Sequence, residues 1–432
     1  VTVMKGLDKY IACLDSLKGI EKCKTYRKKA KPCAAKCKKL SKKGLGKIRR
    51  KGCASECQRI ATGQPIFSNS RLASGIFDKI EVSKKRVKAK GDKYSWVNAY
   101  AFALASNFAY LSKAEGGSWK AYRKRAIKRW NALGLKYCGA GQATGYSGPV
   151  PATKIRDNIK ENRSKERKSI DTQYYLVYND KMMAVVFRGS ESDGSFFNDK
   201  SKKFKDWIAT DARLFPASPW KAIKKEFGRV HRGFYWAYSS VRVEQDLIKR
   251  INSCRKLKNP EDPKSGNRSK ARPVFFAGHS LGGAVASVAA YDVKTYDKIP
   301  VRGVYTYGSP RAFGQVGGRH YDRSLKSVTH RWVNKNDMVT GLPLPGFHRH
   351  VGRYHHIHRG AINKFKQYVK LDKKYQIIPR LPAFGLDHTM GKYINLIWEF
   401  MPTKQKKKKL GKKYKKFKPK NVLSPQNYDY KF

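Results

Sequence analysis

Apolar positions along this chain fall into two rhythms. Short, nearly continuous runs occur at Thr172–Tyr178, Met182–Phe187, Val274–Ala277, Gly303–Gly308 and Val328–Val333. Such runs, bounded by turn residues, predict buried strands. Longer mixed stretches predict helices over Trp96–Leu111, Ser118–Leu133, Gly233–Ser253 and Ala284–Asp297. Alternation of the two predicts an α/β sheet with helices packed against it. Residues 139–151 are rich in Gly, Ser and Pro, and 154–169 and 255–272 are strongly charged. All three stretches predict surface excursions. Val97–Leu111 is the longest apolar region, short of the roughly 20 residues that span a bilayer. Its Asn98, Ser106 and Asn107 mark it as a core helix instead. No transmembrane segment is predicted. The chain begins on Val, with no apolar signal region.

This pattern divides the 432 residues into four parts. Residues 1–62 form a basic, cysteine-rich helical module and 63–94 a Lys-dense linker. Residues 95–402 form the α/β domain, and 403–432 are a basic tail expected to be solvated and disordered when free. Size allows one large domain plus an appendage.

Charge changes the picture more than composition does. Lys and Arg number 95 against 31 Asp and Glu, a net charge of +64 spread over the whole chain. Such an excess bears on partners and solubility rather than fold. It predicts life beside a polyanion: an anionic membrane surface, to which each surface lysine contributes roughly 1 kcal/mol, or a nucleic acid. Membership of a large assembly would also suit it.

Six of the eight cysteines lie in the first sixty residues. Cys33 and Cys37 are four apart, as are Cys53 and Cys57, so each pair shares a helix face. The turn-forming Ser41–Lys47 stretch lies midway. An antiparallel helical hairpin would bring Cys33 opposite Cys57 and Cys37 opposite Cys53, and two disulfides are predicted there, with Cys13 and Cys23 as candidates for a third. A zinc site is the rival, but zinc modules more often use C-x2-C spacing or add His. Cys138 and Cys254 either pair or stay buried. Disulfides imply an oxidising setting, such as secretion, an organelle lumen or a virion.

Candidate chemistry centres on Phe275-Phe276-Ala277-Gly278-His279-Ser280-Leu281-Gly282-Gly283-Ala284. G-x-S-x-G between apolar runs predicts a strand, a tight turn and a helix, with the Ser280 hydroxyl exposed at the sheet edge. Gly278 and Gly282 are needed where strand and helix backbones come too close for side chains. The helix N-terminus favours negative charge developing beside the serine. A serine nucleophile needs a base, an acid to orient it and donors for the oxyanion. The chain order in α/β-hydrolases is Ser, Asp or Glu, then His. Asp337 sits where the Val328–Val333 strand runs out, before the rigid Gly341–Pro345 loop. Histidines are more numerous: His348, His350, His355, His356 and His358 cluster after Asp337, and His388 lies later. The cluster has several Arg and no paired carboxylate, a poor metal setting. A late loop before a C-terminal helix suits His388 better.

These motifs resemble those of the class 3 lipases, α/β-hydrolases typified by fungal triacylglycerol lipases, over roughly residues 95–402. Val185-Val186-Phe187-Arg188-Gly189-Ser190 is similar to the family's oxyanion strand, and Lys205–Asp211 to the segment after its lid. Val230–Phe234 matches its H-x-G-F element, Gly278–Gly282 its nucleophile elbow, Tyr305–Arg311 the strand after it and Asn334–Pro345 its acid loop. The resemblance implies an α/β-hydrolase fold and catalysis by Ser280, His388 and Asp337. It places the oxyanion at the backbone N–H groups of Ser190 and Leu281, and the family's early, non-catalytic histidine at His350. No metal or organic cofactor is needed. His279 is expected to pack away from Ser280, and Arg188 to be structural. Glu191–Lys205 is longer and more polar than the family's lid, with Phe196-Phe197 its strong apolar pair. The expected activity is hydrolysis of lipid esters, acylglycerols or phospholipids. The competing expectation is a lipase-fold structural or nucleic-acid-associated component of a large assembly or virion.

Overall fold

Period-two alternation in the strands sorts side chains into two cores, one on each sheet face. The structure, a computed structural model, describes residues 75–82, 95–110, 119–144, 171–189, 228–334, 337–343, 348–357 and 388–419. The N-terminal module with Cys33, Cys37, Cys53 and Cys57, the 63–74 and 83–94 parts of the linker, Ser190, the Glu191–Lys205 stretch and His358 lie outside them.

Nine strands are present among the described residues: β1 Lys136–Thr144, β2 Asp171–Tyr178, β3 Met183–Phe187, β4 Val274–His279, β5 Val301–Tyr307, β6 Phe313–Gly314, β7 Thr329–Asn334, β8 His348–Arg349 and β9 Arg353–Ile357. Seven form one sheet in the order β1-β2-β3-β4-β5-β7-β9, and β6 pairs with β8 apart from it. β1, β2 and β3 are antiparallel neighbours. From β3 to β9 every pairing is parallel, so the C-terminal ends of β4, β5 and β7 share one edge. That edge is where open α/β sheets place their sites.

Phe275 and Ala277 of β4, with Ala184 and Val186 of β3, face one core. Helices α1 (Trp96–Phe108), α2 (Trp119–Ala132) and α7 (Met390–Phe400) belong to that side. Val274 and Phe276, with Met183, Val185 and Phe187, face the other. There α3 (Arg232–Glu244), α4 (Leu247–Lys256), α5 (Leu281–Thr295) and α6 (Gln315–Leu325) supply the cover. All thirteen residues of α1 are buried. Its polar ones are used or enclosed: Asn98 clamps Glu81 through both backbone groups, at 2.8 and 2.7 Å. Among the described residues no helix is long and apolar enough to cross a membrane.

Several expectations need correction. Residues 139–144 are strand rather than loop. Gly141 lies against Tyr174 on β2, whose ring would be 2.5 Å from an added Cβ. Glycine here makes room for an aromatic neighbour instead of marking a turn. The expected helix over Gly233–Ser253 is two helices, broken at Asp246 with φ of 48°. Of the two alternatives for Cys138 and Cys254, pairing is not adopted: both are free thiols, Cys254 buried and Cys138 half-buried.

The largest correction concerns the tail. Residues 403–417 fold back onto the α/β domain, with Leu410 and Phe417 only 4% and 1% exposed within the core that holds α1 and α7. The Tyr100 hydroxyl donates to the Phe417 carbonyl at 2.7 Å. Two apolar side chains among the lysines supply the burial that composition alone conceals.

Candidate active site

Ser280 sits between the end of β4 and the start of α5 with φ 57° and ψ −131°. Few L-residues occupy that region, and holding one there costs on the order of 1–3 kcal/mol. Close packing enforces it. A Cβ at Gly278 would stand 2.2 Å from the Gly282 carbonyl oxygen, and one at Gly282 would stand 2.5 Å from that of Phe187. Strand β3, the turn and α5 are therefore in backbone contact. The Ser280 N–H donates to the Tyr307 carbonyl at 2.9 Å, tying the turn to the end of β5. Leu281 opens α5, and helix geometry leaves its N–H without an intrahelical acceptor.

Asp337 follows β7 by three residues and is 2% exposed. Its carboxylate collects several donors. His388 Nδ1 lies 2.9 Å from both oxygens. The Val339 N–H donates to Oδ1 at 3.0 Å, and the Tyr393 hydroxyl donates to Oδ2 at 2.5 Å. Asp337 is thus an Asx-type cap of the 338–341 turn and a histidine partner at once. Residues 337 and 388 are brought together across fifty-one positions.

The imidazole of His388 reaches the serine turn through its neighbours. His279, the residue before Ser280, bonds the His388 carbonyl through Nε2 at 2.7 Å, and the two rings lie 4.5 Å apart. Gly308 fills the angle between: an added Cβ would be 2.9 Å from His388 Nδ1 and Cε1, and 2.7 Å from Asp337 Oδ2. Its φ of 58° suits glycine as well. No hydrogen bond joins Ser280 Oγ to His388 among the described residues. Such bonds often close only around substrate.

His279 has a different task. Burial, then the neighbouring His388, holds its imidazole well below the usual histidine range, so it is neutral. A carbonyl accepts at Nε2, so that nitrogen carries the proton. Nδ1 then accepts from the Tyr110 hydroxyl at 2.6 Å. The ring is a strut between α1, the serine turn and the His388 backbone. Arg188 is also fixed, donating to Gln173 Oε1 at 2.7 Å and lying 5.9 Å from the Tyr110 ring centre.

The histidine cluster disperses. His350 donates to the Thr340 carbonyl at 2.8 Å. His355 stacks on Trp332 at 4.8 Å and shares a 3.0 Å hydrogen bond with His330. His348 packs 5.3 Å from His231, and His356 stacks on Tyr354. Among the described residues no group of three or more His, Cys, Asp or Glu could hold a metal.

Tyr393 is the functional candidate that sequence reasoning passed over. Its hydroxyl donates to Asp337 and accepts from the Asn334 N–H at 3.0 Å. Burial, then the adjacent carboxylate, raises it well above the usual phenol range, so the donor proton stays. It lies five positions after His388, in the first turn of α7. That spacing was visible, but the shared acceptor was not.

Residues 184–347 match the family model described as Lipase (class 3). The chain is class 3 lipase-like. The matched segment runs from β3 through the serine turn and Asp337, and this lipase-like domain has the mostly parallel sheet of an α/β-hydrolase. Over 324 residues it is 26% identical to the toxin TseL of Vibrio cholerae, covering 66% of this chain and 45% of TseL. It is 39% identical to the phospholipase A(1) DAD1 of Arabidopsis thaliana over 74 residues, 16% of each protein. It is 27% identical to a lipase of Rhizomucor miehei over 228 residues, 49% of this chain and 54% of that lipase. The chain therefore spans about half or less of the length of each of these relatives.

Proposed function

We propose that this protein hydrolyses carboxylic esters of lipids, acylglycerols or phospholipids, by a serine mechanism. The observation that carries the reading is the buried Asp337–His388 pair, 2.9 Å apart, beside a serine held at φ 57° on the sheet edge. The class 3 lipase match, and relatives named as a lipase and a phospholipase, support lipid esters as the substrate class.

In this mechanism Ser280 Oγ attacks the ester carbonyl carbon while His388 Nε2 takes its proton. Asp337 keeps Nδ1 protonated and stabilises the imidazolium. Tyr393 and the Val339 N–H hold the carboxylate in place. The backbone N–H groups of Ser190 and Leu281 receive the oxyanion, and losing one such donor costs about 10²–10³ in turnover. Collapse of the tetrahedral intermediate breaks the ester bond, and His388 returns the proton to the departing alkoxide. Water, deprotonated by the same imidazole, then releases the acyl group from Ser280. The +64 charge serves a second purpose, holding the protein against a polyanion.

Hydrolysis of p-nitrophenyl esters of increasing acyl length, alongside a phospholipid, tests the reading. The unmodified protein is expected to release product and Ser280→Ala to release none above background. Absence of turnover by the unmodified protein on every ester would overturn it.

A further inference from the structure

Helices α1 and α7 run antiparallel across one sheet face, and each has one end at the serine turn. Tyr110, just past α1, bonds His279, and His388 lies two residues before α7. Their other ends meet the segment 403–418. There Tyr100, in the first turns of α1, bonds Phe417, and the Lys406 ammonium lies 4.9 Å from the Trp398 ring near the end of α7. At 1.5 Å per residue, α1 and α7 separate the two places by about 15–20 Å.

This segment is an anchored scaffold for positive charge. Leu410 and Phe417 are buried and Tyr414 is half-buried, its ring 6.5 Å from that of Trp398. Lys409 pairs with Glu81 at 2.5 Å. Lys407, Lys408, Lys412, Lys413, Lys415 and Lys416 are exposed, and among the described residues none of them has a carboxylate partner. Like charges gathered on a folded turn repel each other. Water and salt screen that repulsion in part, and an anionic partner relieves it further.

We propose that the lysine segment 404–418 is a docking surface for the phosphate backbone of a nucleic acid, separate from the lipid site. Two observations favour a nucleic acid over a bilayer. Segments that lie in a membrane interface insert apolar side chains, whereas here Leu410 and Phe417 are committed inward. A bilayer held at this end would also meet the protein about one helix length away from Ser280. Phosphate recognition by charge alone needs neither insertion nor proximity to the serine. The proposal specifies the polyanion invoked under the proposed function. The choice against a bilayer rests in part on the catalytic reading, whereas the readout, binding, fails or succeeds independently of it.

The test compares the full-length protein with two variants of equal charge. In one, Lys407, Lys408, Lys412 and Lys413 are changed to Gln. In the other, the exposed Lys249, Lys256, Lys264 and Lys270 are changed to Gln. Binding to a fluorescent mixed-sequence DNA duplex is measured against salt, with thermal midpoints confirming the fold. Each phosphate contact contributes about 0.9 to the salt slope, so the segment variant is expected to lose up to about 3.6 in slope and at least tenfold in affinity, well beyond the control. A double variant, Lys412→Gln with Lys413→Gln, is expected to lose about half as much slope, and serves if the quadruple variant unfolds. Equal losses in segment and control variants would overturn the proposal. So would unchanged DNA binding with lost binding to phosphatidylcholine vesicles containing phosphatidylserine.

Discussion

The two ends of α1 and α7 handle charge in opposite ways. At the serine end a single carboxylate, Asp337, is enclosed and saturated by donors from His388, Tyr393 and Val339. At the lysine end many ammonium groups remain in water while their apolar neighbours go inside. A buried charge must be hydrogen-bonded to be tolerated, whereas exposed charges need only an anchor. The first end is therefore specific about geometry and the second about charge number. Substitutions at the two ends should have separable consequences.

The largest effect belongs to the serine end. Ser280→Ala should lower kcat by about 10⁴-fold or more without altering the thermal midpoint. Ester turnover and a melting curve check both halves. Retained turnover would detach the chemistry from this end altogether.

Tyr393→Phe sharpens the comparison further. It removes one donor from a buried carboxylate and leaves the Asn334 N–H without its acceptor, changes worth about 1–3 kcal/mol. The expected result is a loss in kcat of about 10–100-fold with KM unchanged. A fall in stability alone, with normal turnover in the folded fraction, would reduce Tyr393 to packing.

Phe417→Ala probes the opposite end. Emptying a site 1% exposed should destabilise the fold by about 3–5 kcal/mol. Denaturant midpoints would register the loss, while kcat at a temperature where the protein is folded should not change. A silent substitution would mean that the segment does not lean on this core.

A further effect, confined to acid, is in pH. His330 lies under the same core, stacked on Tyr305 and bonded to His355. Burial, then Arg353, lowers it to about 3, and burial also lowers His355 well below its usual range. Both histidines are neutral in the fold and protonate at about pH 6.5 when unfolded. Their contribution is present above pH 6.5 and is lost as pH falls toward 3, by up to about 1.4 kcal/mol per proton per pH unit. His330→Gln should flatten the decline of the denaturant midpoint over that window. An unchanged slope would assign the acid sensitivity elsewhere.

Much of the serine turn is legible in ten residues. Gly278, Ser280 and Gly282 are read correctly because the demand on them is local: one strand, one turn and one helix crowd together. The strand at 139–144 is missed because Gly141 answers to Tyr174, thirty-three positions away. The tail is misread because window composition counts its lysines and overlooks which side of the chain Leu410 and Phe417 occupy. The place of Asp337 just past a strand is legible, while its tyrosine donor is not, since a hydroxyl carries no signal of which acceptor it will meet.

By itself the sequence determined the strand and helix rhythm, the strained serine turn, the carboxylate after β7 and the scale of the positive charge. Each follows from steric and hydration preferences that act over a few residues. Tertiary structure alone decided which tyrosine holds Asp337, where the other histidines pack, and that a lysine-rich run has a buried side. Those outcomes depend on strand order and on helices packing side by side, which join groups far apart in the chain and are set only when the whole sheet has formed.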